Sequence, residues 1–165
     1  MTTLQEALQK KHKILMLELP TEHYFHHNLA TLRELTAPGI FISTQRPAAN
    51  VTTHFKKENI HDVHIIDTTA DQEHESCSCV TTDVDAIVGA INAQLNDETK
   101  FIFIDSLSTI TLYKPLSEIL RLSEFLITTA NTSNATVLFG IAKDLKHKKF
   151  IEDIALQVDS IVNVQ

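Results

Sequence analysis

Six short runs of mostly apolar residues, each parted from the next by a stretch of helical periodicity, constrain this chain more than any other feature. They are residues 14–19 (ILMLEL), 40–43 (IFIS), 63–66 (VHII), 101–104 (FIFI), 136–141 (TVLFGI) and 161–164 (IVNV). A strand with one wet face alternates apolar and polar residues. A strand apolar at nearly every position needs cover on both faces, which a parallel sheet between two helical layers supplies. The intervening stretches fit that cover. Apolar residues at helical spacing predict helices over 3–11 (Leu4, Ala7, Leu8), 21–36 (Phe25, Leu29, Leu32, Leu35) and 47–59 (Val51, Phe55). They predict three more over 83–95 (Val84, Ile87, Val88, Ile91, Leu95), 115–129 (Leu116, Ile119, Leu120, Phe125, Leu126) and 149–158 (Ile151, Ile154, Ala155, Val158). Residues 68–80 (TTADQEHESCSCV) are polar and acidic and read as a loop, as do residues 105–115. The fold class is α/β, a doubly wound three-layer sandwich around a mainly parallel sheet.

Composition narrows the function. The 165 residues suit one domain spanning 1–165, large enough to bury about 70% of its unfolded surface. A net charge of −7 with neutral histidines argues against non-specific binding to nucleic acid or an anionic membrane. No apolar run approaches the ~20 residues of a membrane span. The polar first 13 residues lack the apolar stretch of a secretory signal, so the expected location is the cytoplasm. Cys77 and Cys79, with one residue between them, cannot staple distant parts of a fold. Glycine is scarce, with only Gly39, Gly89 and Gly140.

One segment is distinctive: Phe101-Ile-Phe-Ile-Asp105-Ser106-Leu107-Ser108. Four apolar residues followed by Asp-Ser-Leu-Ser resemble the Walker B strand of RecA- and KaiC-like ATPases. Residues 39–47 (GIFISTQRP) resemble the second-strand segment of KaiC-like proteins, and residues 158–162 (VDSIV) their terminal strand. By order and spacing the likeness covers nearly the whole chain. It implies a RecA-type strand order of 3-2-4-5-1-6, counting the six runs along the chain. It also implies that Asp105 occupies the position where active members help hold the nucleotide's Mg²⁺.

The departures from that pattern bear more strongly on function. A phosphate-binding loop needs glycines so that backbone N–H groups can wrap the phosphates, a lysine for the β/γ oxygens and a Ser/Thr for Mg²⁺. Here residues 20–27 (PTEHYFHH) hold no glycine and no lysine. Glu18 and Glu22 are expected to put negative charge where a triphosphate would sit, a repulsion of about 1–4 kcal/mol per contact near ~4 Å. The water-activating glutamate of the family falls near Gln45, which cannot act as a general base. The expectation is a degenerate member lacking Walker A, without ATPase activity and without a cofactor.

Other constellations are weaker. His23, His26 and His27 can share a helical face near Glu22, and His74, Cys77 and Cys79 form H-x-x-C-x-C. Neither set supplies four ligands at an established zinc spacing, so no metal site is expected. Ser106 and Ser43 follow strands, but the G-x-S-x-G elbow of a nucleophilic serine is absent. Lys143, Lys146, His147, Lys148 and Lys149 form a small basic patch without the aromatic residues that stack on single-stranded nucleic acid.

The function expected is therefore a non-catalytic RecA/KaiC-like domain that binds another protein or a second copy of itself, in a regulatory or scaffolding role. The alternative is an enzyme or small-ligand binder that reuses the crevice at the C-terminal ends of the strands. The expected rim of that crevice is Thr21, Glu22, His23, Thr44, Gln45, Arg46, Asp105, Ser106 and Lys143. Asp105 is expected to accept hydrogen bonds from backbone N–H groups of its own loop, so that Asp105→Ala costs about 1–3 kcal/mol.

Overall fold

The computed structural model describes residues 2–69, 77–79, 83–145 and 149–165. The apolar runs become strands β1 (Ile14–Leu19), β2 (Gly39–Ser43), β3 (Val63–Asp67), β5 (Phe101–Asp105), β6 (Thr136–Ala142) and β7 (Ser160–Asn163). A further strand, β4 (Cys77–Cys79), lies within the stretch read from sequence as loop. The helices are α1 (Leu4–Gln9), α2 (Tyr24–Glu34), α3 (Ala48–Lys57), α4 (Val84–Gln94), α5 (Leu107–Ile110), α6 (Leu116–Thr132) and α7 (Lys149–Ala155). Helix α5 occupies a segment that carries too few residues for a periodicity to show, and it too was expected as loop.

The seven-stranded sheet has the order β4-β3-β2-β5-β6-β1-β7, and every pairing is parallel. Without β4 this is the order 3-2-4-5-1-6. Strand β5 is central, and β6 separates it from β1. The short β4 widens the sheet at its edge, where the side chain of His64 on β3 meets the Ser78 hydroxyl at 2.8 Å.

Strand alternation divides the core into two layers. Leu15, Leu17, Leu19, Phe41, Phe101, Phe103 and Leu138 face α1, α2 and α3. Ile14, Met16, Ile40, Ile42, Ile102, Ile104, Phe139 and Ile141 face α4, α5, α6 and α7. In the first layer the Phe41 ring meets those of Phe55 and Phe103 edge-on, each at 5.6 Å between centroids, an arrangement that suits aromatic quadrupoles. Helix starts are fixed locally. Thr3 and Glu6 form a capping box on α1. Pro47 and Pro115 stand at the N-caps of α3 and α6.

Gly39, at the start of β2, is required by close packing. A Cβ there would come within 2.3 Å of the buried Phe101 ring on β5. Gly39→Ala forces that ring off its packing position in a dense core and should cost about 1–3 kcal/mol. The expected readout is a lower guanidinium midpoint with an unchanged m-value. An unshifted midpoint would mean that the Phe101 ring has room to turn.

Candidate functional site

The C-terminal ends of β1, β2 and β5 frame a crevice of about 350 Å³. It is lined by Thr21, His23, Tyr24, Phe25, His26, Gln45, Arg46, His54 and Asp105. Of the expected rim, Thr21, His23, Gln45, Arg46 and Asp105 are thus brought together. Thr44 and Ser106 lie buried beneath. Glu22 is exposed, with one carboxylate oxygen 3.7 Å from His23 Nε2. Lys143 donates from Nζ to the Val164 carbonyl at 2.9 Å, which ties it to the C-terminal segment. The repulsion expected from Glu18 does not reach the crevice. Leu17 and Leu19 face α2, so by alternation Glu18 points to the other side of the sheet.

The floor is built by hydrogen bonds between the ends of β2 and β5. The Thr44 N–H and hydroxyl both donate to the Asp105 carbonyl at 2.8 Å. The same hydroxyl oxygen accepts from the Ser106 N–H at 2.7 Å. The Asp105–Ser106 peptide is cis. Ser106 Oγ caps α5 by accepting from the Thr109 N–H at 3.2 Å, and it accepts from Gln45 Nε2 at 3.1 Å. Ser43 Oγ is likewise committed, donating to the Arg46 carbonyl at 2.6 Å. Both serines weighed as nucleophiles therefore serve their own loops.

Asp105 does not play the part expected of it. Ser106, one residue on, does the capping. The Asp105 carboxylate is 1% exposed, and its Oδ1 has no hydrogen-bond partner. Of the five buried side-chain polar atoms without a partner among the described residues, four belong to Tyr24, Asn28 and Asp105. Asn28 and Tyr24 lie close enough to act on the Asp105 carboxyl as hydrogen-bond donors, although neither contact reaches good hydrogen-bond geometry. Burial pushes the Asp105 carboxyl up from 3.8 to about 7, against the opposing pull of Asn28, Tyr24 and the Arg46 charge. Burial and the neighbouring Asp105 charge raise the Tyr24 phenol.

Tyr24 packs near Gly140 of β6, whose lack of a side chain is required by the Ile104 backbone. A Cβ at Gly140 would come within 2.9 Å of the Ile104 carbonyl oxygen and 3.4 Å of the Tyr24 hydroxyl. Arg46 lies 4.2 Å above the Phe25 ring and donates to Asn50 at 3.2 Å. The His23, His26 and His27 set does not stay together. His23 and His26 line the crevice, whereas His27 lines a separate groove beside Thr2 and Val164. Among the described residues no three His, Cys, Asp or Glu side chains converge on a metal position. His74 lies outside those residues, as do Lys146, His147 and Lys148 of the basic patch. Lys149, of that same patch, pairs with Asp153 at 2.9 Å.

Sequence reasoning missed Tyr24, Asn28 and His54. A signal existed for Asn28: it falls three residues after Phe25 and four before Leu32, on the inner stripe of α2. A polar residue there is buried unless the helix turns away.

No protein-family model matches the chain, and no curated protein sequence does. Solved structures do. The chain aligns over 93% of its length with Pyrococcus horikoshii KaiC-like protein PH0186, at TM-score 0.59 and 16% identity, covering 73% of that chain. The fold is RecA/KaiC-like. Two more Pyrococcus horikoshii proteins share it. PH0250 aligns with 93% of this chain and 82% of its own, at TM-score 0.63 and 14% identity. The uncharacterized PH0321, solved in complex with an unknown peptide, aligns with 98% of this chain and 82% of its own, at TM-score 0.64 and 12% identity. At these identities the likeness is one of fold alone.

The Asp105 carboxyl has a consequence for stability. The unfolded chain releases this proton near 3.8, whereas the folded chain holds it until about pH 7. Between those values the folded state binds more protons, so stability falls as pH rises and the loss is complete above about 7. The full shift corresponds to an upper bound on the order of 4 kcal/mol. Asp105→Asn should remove this part of the slope and be at least as stable as the parent at pH 8. Urea unfolding of both proteins from pH 4 to 8 tests it, and parallel pH profiles would show that Asp105 ionises freely in the fold.

Proposed function

We propose that this chain is a non-catalytic RecA/KaiC-like domain, a degenerate member without Walker A, that acts by binding another protein and does not hydrolyse ATP. The observation that carries the reading is an exposed apolar cluster running from the segment after α5 to the first residue of α6. Leu112, Tyr113 and Leu116 are 69%, 68% and 52% exposed. Large apolar side chains grouped within five residues on a surface segment suit an apolar stretch of a partner protein. The peptide found with PH0321 adds support from a neighbour of the same fold.

The loss of nucleotide chemistry rests on the crevice itself. The turn at residues 20–23 offers no glycine-rich cradle, and Lys143 is engaged elsewhere. Asp105, which by resemblance takes the Walker B position, is 1% exposed. Two outcomes follow. Calorimetry with Mg²⁺-ATP should give no affinity tighter than about millimolar, and micromolar binding would overturn the reading. The double substitution Leu112→Glu with Tyr113→Glu should change stability by less than about 0.5 kcal/mol, as exposed positions do. It should also abolish retention of a partner that the parent chain captures from its native cell. A partner held equally by both proteins would remove the cluster as the docking surface.

A further inference from the structure

The crevice holds two unlike charges that sense each other without meeting. At its floor is the Asp105 carboxylate, with Oδ1 unpartnered, beside the unpartnered Tyr24 hydroxyl, while the Asn28 amide, also unpartnered, lies outside the lining. On its wall is Arg46, whose guanidinium rests on Phe25 and bonds a neutral Asn50, with no carboxylate within ion-pair distance among the described residues. The Arg46 charge works on Asp105 across the crevice, yet the two form no salt bridge. Buried polar groups are ordinarily satisfied, and the orphan oxygens of Asp105 and Tyr24 belong to side chains that line the crevice.

We propose that this crevice binds a small zwitterion of the α-amino-acid class, its ammonium seated on Asp105 beside Tyr24, and its carboxylate met by Arg46. Each simpler ligand class leaves one charge worse off. A free anion would be drawn to Arg46 but would face Asp105, and a free cation would meet the reverse. A triphosphate brings several negative charges to a floor that already carries a carboxylate. A transition metal would find no third ligand among the described residues. A dipolar ion answers both charges at once and gives the orphan oxygens of Asp105 and Tyr24 a donor. An ammonium beside Asp105 would also offset the burial that holds that carboxyl back from ionising. The volume of about 350 Å³ lies at the small end of ligand sites, in keeping with a single amino acid. Two clefts of 430 and 450 Å³ near Gly39 and Asp62 hold none of the unpartnered buried atoms.

This inference stands apart from protein binding through residues 112–116, and either can fail alone. The test is an amide-resolved NMR titration of the full chain with each common α-amino acid, followed by the N-acetyl and carboxamide derivatives of the best binder. At least one amino acid should shift the amides of His23, Arg46 and Ser106. Blocking either of its charges should weaken binding about tenfold or more, as loss of a charge-assisted hydrogen bond does. Arg46→Gln should weaken the parent amino acid similarly while leaving affinity for its carboxamide unchanged. The ligand derivatives need no variant, so the result does not depend on how Asp105 substitutions fold. Absence of shifts at these amides up to tens of millimolar, or equal binding of the blocked derivatives, overturns the proposal.

Discussion

The structure depends on burying both faces of β5. Its five residues are all buried, with Phe101 and Phe103 on one side and Ile102 and Ile104 on the other. A strand of that kind cannot lie at an edge or face water, so it demands neighbours in the sheet and a helical layer above and below. Each parallel neighbour then needs a crossover, and the crossovers are the helices. Because every strand runs the same way, all C-terminal ends emerge along one margin of the sheet, where the loops after β1, β2 and β5 frame the crevice. The placement of the site thus follows from hydrophobic burial in the middle of the sheet.

Two aspartates end adjacent parts of this sheet and differ in what surrounds them. Asp67, closing β3, is fully buried and fully used. Its Oδ2 accepts from the Ala48 N–H at 2.7 Å, at the start of α3, and its Oδ1 accepts from the Thr69 N–H and hydroxyl, each at 2.7 Å. Such a residue is structural: it satisfies orphan donors at a helix start. Asp105, closing β5, is as deeply buried and has an oxygen with no partner. The two look alike in sequence, each an aspartate after an apolar run. Only the surroundings separate a cap from an unsatisfied acid, and those come from α2, β6 and the loop after β2.

That contrast shows how far the sequence could be read. Six strands were legible, because continuous apolar runs and helical spacing reflect burial directly, while their order came from the resemblance to RecA- and KaiC-like proteins. Strand β4 was not, since Cys-Ser-Cys carries neither length nor an apolar run, and only pairing with β3 makes it a strand. Glu18 was placed in the crevice by its distance along the chain, whereas alternation turns it to the opposite face. Tyr24 escaped notice because what places it beside Asp105 is tertiary packing against β5 and β6, far away along the chain. The spacing along α2 put Asn28 on the inner stripe, a signal that went unread. It could not show that Asn28 would find no partner there.

The floor of the crevice also separates scaffold from site. The ends of β2 and β5 are joined by Thr44, which bonds the backbone carbonyl of Asp105 and the backbone N–H of Ser106. Ser106 then caps α5 with its own hydroxyl. None of these bonds uses the Asp105 carboxylate. The strand end is therefore held by main-chain and hydroxyl groups, while the acid projects from a fixed position without helping to fix it. A side chain placed rigidly, left unsatisfied and destabilising at neutral pH adds nothing to the fold that holds it. Asn28, Tyr24 and the Arg46 charge act on this acid without overcoming its burial, so its carboxyl stays high and its ionisation opposes folding at neutral pH.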